Sequence, residues 1–148
     1  MNLQQRIESA MRDAMRARDE RRTSTLRMAM AAAHYRQIEL GRPLTDDEVV
    51  DVLGKQVKQR RESVDQFRAG GREERAVAEE AEAEILREFL PQQLSAQELE
   101  GIVDAAISES GASGPSDVGK VMGRVMAQTR GRADGKAVSD LVRARLAG

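Results

Sequence analysis

Apolar side chains recur at intervals of three and four from one end of this chain to the other, and no stretch alternates apolar with polar over the length of a strand. A period near 3.6 lines such residues along one face of a helix, so the pattern commits the chain to helices packed on helices. Leu3, Ile7, Met11 and Ala14 make a first stripe. Leu26, Met30 and Ala33 make a second, with Ile38 and Leu40 finishing that segment. Thr45-Asp46-Asp47-Glu48 then reads as a capping box opening a third helix, with Leu44 and Val49 placed as a hydrophobic staple. Val50, Leu53, Val57, Val64 and Phe67 continue that helix to Gly70-Gly71, where glycine supplies the left-handed backbone a helix end favours. A fourth helix, Glu73 to Phe89, carries Val77, Ala81, Ile85, Leu86 and Phe89.

Pro91 marks the main boundary. Leu94-Ser95-Ala96-Gln97-Glu98-Leu99 repeats the box-and-staple device of Thr45, and Leu99, Ile102, Val103, Ala106 and Ile107 follow at helical spacing. Gly111 to Gly114 form a turn, and Pro115 suits the first position of the next helix, which holds Val118, Met122, Val125 and Met126. Gly131 to Gly135 separate it from a last helix with Val138, Leu141, Val142 and Leu146. The expectation is an all-α chain of about seven helices: an N-terminal helical bundle over residues 1–90 and a smaller three-helix tail domain over 95–148.

Among 148 residues the only aromatics are Tyr35, Phe67 and Phe89, so the core must be aliphatic. Without cysteine, disulfides, thiolate nucleophiles and Cys-ligated metals are excluded. The longest uncharged run, Phe89 to Gln97, is nine residues and contains Pro91, far short of the roughly 20 a membrane span needs. Arg6, Glu8, Arg12 and Asp13 occupy the place of a signal peptide's apolar stretch, so the expectation is a cytoplasmic protein without membrane contact. The net charge of −1 conceals a pattern. Residues 1–45 carry +4, residues 46–90 carry −5, residues 91–114 carry −4 and residues 115–148 carry +4. Two basic ends around an acidic middle direct attention to an anionic partner.

Catalytic chemistry finds little support. His34 is the single imidazole and stands on an Ala-rich helix with no acid or nucleophile in register. Gly119-Lys120-Val121-Met122-Gly123 lacks both the glycine spacing and the Ser/Thr after Lys of a phosphate loop. Glu79, Glu80, Glu82 and Glu84 spread around their helix instead of converging on a cation, which reads as a solvated face. No catalytic residue, metal ligand or cofactor is therefore assigned.

Nucleic-acid chemistry finds more. Lys120 and Arg124 are four apart on one helix face, and so are Gly119 and Gly123. Each glycine costs a helix about 1 kcal/mol relative to alanine, so two on one face imply close approach of something, either another helix or a polynucleotide backbone. Arg130, Gly131, Arg132, Gly135 and Lys136 then set three cations in a glycine-containing turn, and Asp134 is placed to cap the helix that follows. Such a turn either meets phosphates or is simply solvated. Arg12, Arg16, Arg18, Arg21, Arg22 and Arg27 are a weaker signal, because neighbouring acids suit them to surface pairing. With so few aromatics, folded-RNA shape fits better than stacking on single strands.

At Thr45-Asp46-Asp47-Glu48-Val49, Phe89-Leu90-Pro91-Gln92-Gln93-Leu94-Ser95, Gly119-Lys120-Val121-Met122-Gly123 and Gly131-Arg132-Ala133-Asp134-Gly135-Lys136, the sequence resembles the stand-alone GatB/YqeY-domain proteins. The resemblance covers essentially the whole chain. It implies kinship with the C-terminal tail of the B subunit of aminoacyl-tRNA amidotransferase, which helps grip the tRNA elbow. That enzyme's glutamine-hydrolysing and ATP-dependent sites have no counterpart here, so a carbon–nitrogen ligase label with glutamine as amido-N-donor attaches by association alone. Three readings follow: a non-catalytic tRNA-binding protein using Lys120, Arg124, Arg130, Arg132 and Lys136; an accessory component of an amidotransferase or other tRNA-modifying assembly; and a helical interaction module, with a homodimer as one form of it.

Overall fold

A computed structural model describes residues 1–147, and among these the regular structure is helical throughout. Seven α-helices fall into two compact units, Met1–Leu90 and Pro91–Gly148. In the first unit α1 spans Leu3–Arg16, α2 Glu20–Leu40, α3 Asp46–Ala69 and α4 Glu73–Arg87. The capping box at Thr45 is present: Glu48 N–H donates to Thr45 Oγ1 at 3.2 Å, and Glu48 Oε1 accepts from the Thr45 N–H at 2.9 Å. A box at Asn2 and Gln5 opens α1 in the same way, with bonds of 2.8 and 3.0 Å. Helix α2 starts under an Asp19 cap and stops at Gly41, whose φ of 70° few other residues adopt readily.

Ile7, Leu26, Val49, Leu53 and Leu86 form the centre of this unit, each 2% exposed or less. Between them sit Ala29, Ala33, Ala76 and Ala83, all buried, and these small side chains let the helices of an aromatic-poor core approach closely. Two expected core positions lie elsewhere. Ile38 is 79% exposed because α2 turns Leu26, Ala29 and Ala33 inward, and five residues beyond Ala33 is about 140° further round the helix. Val77 is 54% exposed because α4 buries Ala76, Ala83 and Leu86 instead.

The acidic α4 is not merely a solvated face. Arg60, only 9% exposed, pairs with Glu82 and, at 3.3 Å, with Glu79. Arg68 reaches Glu73 at 3.3 Å and Glu80 at 3.6 Å, Arg87 pairs with Glu84, and Arg22 meets Glu88 at 2.5 Å. Glu73, Glu79, Glu80, Glu82, Glu84 and Glu88 are thus matched by guanidinium groups of the same unit.

In the second unit α5 spans Ala96–Ser110, α6 Val118–Thr129 and α7 Gly135–Ala147. Ser95 and Glu98 form the expected box, with bonds of 3.1 and 3.2 Å. Pro115 opens a single 3₁₀ turn, Pro115–Asp117, and the α-helix begins only at Val118. Val103, Val121, Val125, Val138 and Val142 are completely buried, with Leu99, Ala106 and Leu146 closing the cluster. β-branched valines have one strongly preferred rotamer in a helix, so this core loses little side-chain entropy on packing.

Candidate nucleic-acid interface

Helix α6 faces two ways. Val121, Val125 and Thr129 turn inward, and the buried Thr129 hydroxyl donates to the Val125 carbonyl oxygen at 2.9 Å. On the opposite side Gly119, Gly123 and Ala127 run four residues apart along an exposed strip. A Cβ placed on Gly119 or Gly123 would meet nothing within 4 Å. No neighbouring helix of the described chain therefore occupies the space these glycines leave. Lys120 and Arg124 stand along one edge of the strip, one residue round from each glycine.

The five cations singled out in the sequence have different surroundings. Lys120 is exposed and makes no ion pair among the described residues. Arg124 is half exposed, with Nη1 3.7 Å from Glu109 Oε2. Arg130 and Lys136 are exposed at the two ends of the turn between α6 and α7. Lys136 lies in the first turn of α7, where its N–H donates to Asp134 Oδ1 at 3.4 Å and the Val138 N–H donates to the Asp134 carbonyl at 3.0 Å.

Arg132 differs from the others. Its Nε donates to the Gln92 carbonyl at 3.0 Å and its Nη1 to the Gln128 carbonyl at 3.4 Å. The Leu94 N–H donates to the Arg132 carbonyl at 2.8 Å, and Gln93 Nε2 donates to the Gly131 carbonyl at 2.7 Å. Residues 92–94 are thereby strapped onto the turn at 128–132. The Glu98 carboxyl is held below its ordinary value chiefly by the Ser95 N–H bond and then by the Ser95 hydroxyl, with the Arg132 guanidinium adding the smallest share. Arg132 is held by backbone carbonyls, and its chemistry here is that of positioning the turn. Gly131 completes the turn at φ 73°.

One cation escaped the sequence reading. Arg143 lies seven residues after Lys136, two turns along the same face of α7; both are exposed and neither makes an ion pair among the described residues. The seven-residue spacing was the available signal. Arg145, by contrast, pairs with Asp104 at 3.1 Å and lies 3.9 Å from Glu100. Lys120 and Arg130 are ten residues apart, about 15 Å along the helix axis. The exposed cations therefore border a strip and its far end, without converging on a pocket that would hold a small ligand. Among the described residues no group of His, Cys, Asp or Glu is arranged to hold a metal ion, and no helix is long and apolar enough to cross a membrane.

Comparison with known proteins gives the family. The sequence matches the family described as Yqey-like protein over residues 4–146. An uncharacterized protein of Schizosaccharomyces pombe is 35% identical over 95 residues, 64% of this chain and 76% of its own length. The altered inheritance of mitochondria protein 41 of Pyrenophora tritici-repentis is 28% identical over 131 residues, 86% of this chain and 71% of its own length. A 72-residue segment is 40% identical to part of a glutamyl-tRNA(Gln) amidotransferase subunit of Thermococcus gammatolerans, covering 46% of this chain but 12% of that protein. With the helical pattern, the capping boxes at Thr45 and Ser95 and the glycine-bearing α6 falling inside one continuous match, the chain belongs to the Yqey-like protein family.

Proposed function

We propose that this chain is a non-catalytic, cytoplasmic tRNA-binding protein whose C-terminal unit lies against the phosphate backbone along the Gly119–Gly123–Ala127 strip. The observation that carries the reading is the strip itself: two helix-weakening glycines with nothing packed on them, beside the unpaired Lys120. Carrying nothing larger than one methyl group, the strip lets a polynucleotide backbone come close to the helix, while Lys120, Arg124, Arg130 and Lys136 supply positive charge around it. Arg132 serves by holding the turn that carries Arg130 and Lys136. The similarity to part of an amidotransferase named for glutamyl-tRNA(Gln) supports an RNA of this class as the ligand.

The test is a titration of folded tRNA, beside a generic RNA duplex, at several salt concentrations. The Lys120→Ala/Arg124→Ala/Lys136→Ala variant should weaken binding and flatten the log–log salt slope by about 2 to 3 units. Equal weak binding of both RNAs, unchanged in the variant, refutes the proposal. The same similarity favours a second reading, in which the chain is an accessory component of a glutamine-dependent amidotransferase, a carbon–nitrogen ligase, acting only with partner subunits. That reading expects co-purification with a catalytic subunit and little affinity for free tRNA.

A further inference from the structure

Helix α2 is apolar on two opposite sides. One side carries Leu26, Ala29 and Ala33 into the core. The other bears Met28, Ala31, Tyr35 and Ile38, at successive intervals of 3, 4 and 3, which is the spacing of a coiled-coil seam, and the polar Ser24 and Arg21 continue the same line toward the N-terminus. Met28, Tyr35 and Ile38 on that seam are 55%, 68% and 79% exposed, three of the most exposed large apolar side chains in the chain. Side chains of this size present roughly 150–250 Å² each when free, so about 400 Å² of apolar surface stands open on one helix. A helix apolar on both sides is built to be covered on both.

We infer that the outer face of α2 is a self-association surface, on which α2 of a second copy packs antiparallel about a two-fold axis near residue 30. The charges select this occupant. Arg21 and Glu39 are eighteen residues apart, which is five whole turns, so they lie on the same line along the helix and equally far from residue 30. A two-fold axis at that point sets Arg21 of each copy against Glu39 of the other, twice over. Arg21 has no ion-pair partner among the described residues, and Glu39 holds only a loose pair with Arg36 at 3.8 Å. The same axis brings Met28 against Ala32 of the second copy and Tyr35 toward its Ser24, large side chains meeting small ones. Counting the flanking residues, about 600 Å² per copy is covered, or about 1,200 Å² in all, the lower edge of a stable interface. An interface of this size belongs with weak, reversible associations. It uses the N-terminal unit alone and is independent of the RNA reading.

Sedimentation velocity on the full chain from about 1 to 500 µM, spanning the affinity expected of so small an interface, tests this. The 16.3 kDa species should give way to its double as concentration rises. Tyr35→Glu should raise the dissociation constant at least about tenfold, as loss of an aromatic anchor does. Arg21→Glu and Glu39→Arg should each weaken the dimer, and the double swap should restore it. Far-UV circular dichroism checks helicity in each variant; should Tyr35→Glu lose its fold, the charge swaps decide. A monomer at every concentration overturns the inference. So does a dimer indifferent to Tyr35→Glu, or a double swap that fails to recover what the single ones lose.

Discussion

Replacing both α6 glycines by alanine should make the protein more stable and a poorer RNA binder at once. Gly123 is the sixth residue of the twelve in α6, well inside the helix, where alanine is better than glycine by about 1 kcal/mol. Gly119 is the second residue, so its gain is smaller, about 0.5 kcal/mol. Neither added methyl meets an atom within 4 Å, and neither position has positive φ, so no clash or strain offsets the gain. The sum of about 1.5 kcal/mol, in a unit of this size unfolding cooperatively, corresponds to a rise of about 6 to 12 °C in its midpoint. Differential scanning calorimetry of the full chain reads that shift, and the tRNA titration reads the second effect. The methyl groups hold a docked backbone away from the helix, and affinity should fall about tenfold or more. A lower midpoint would mean that the folded chain itself needs these glycines. A higher midpoint with unchanged affinity would refute the close-approach argument and leave only the cations.

Arg60→Leu should destabilise the N-terminal unit by about 2 to 4 kcal/mol, somewhat below the loss typical of a fully buried pair because Glu79 and Glu82 stay about a quarter exposed; adding Glu79→Gln and Glu82→Gln should recover much of this in urea unfolding. Arg132→Ala should lower the stability of the C-terminal unit by about 1 to 2 kcal/mol by freeing the 92–94 strap, whereas Lys120→Ala should leave it within about 0.5 kcal/mol. Glu48 is held down to about 2, chiefly by its bond to Arg42 and then by the Thr45 N–H. A carboxyl with a depressed folded value stabilises above its ordinary 4.5 and loses that contribution as pH falls through the folded value. Acid titration of thermal stability between pH 4.5 and about 2 should therefore show a steeper loss in the parent protein than in Glu48→Gln.

The helices were legible because their stop and start signals are local. Thr45 with Glu48, and Ser95 with Glu98, lie within one turn of each other in sequence, so the capping bonds they make in space follow from spacing alone. Burial around α2 and α4 was less legible, since a helix with apolar residues on two sides does not say which side faces inward. Ala33 is buried as its stripe implied, but Ala29, Ala76 and Ala83 won their positions over Ile38 and Val77 because close helix approach favours small side chains, a property of the packed unit and not of any one segment. At the candidate site, Lys120 and Arg124 shared a face by arithmetic. The carbonyls that hold Arg132 come from Gln92 and Gln128, one of them forty residues away, and no local pattern announces such a bond.

The strap has a practical meaning for where this chain can be cut. A fragment begun at Ser95 would keep every helix of the C-terminal unit and the cap of its first one. It would lack the Gln92 carbonyl, the Gln93 amide and the Leu94 N–H that pin the α6–α7 turn. The smallest portable module, whether in an expression vector or spliced onto another protein, therefore starts about one turn earlier, at Pro91. A fusion junction placed between Gln92 and Ser95 would leave the helices standing and the cation-bearing loop adrift.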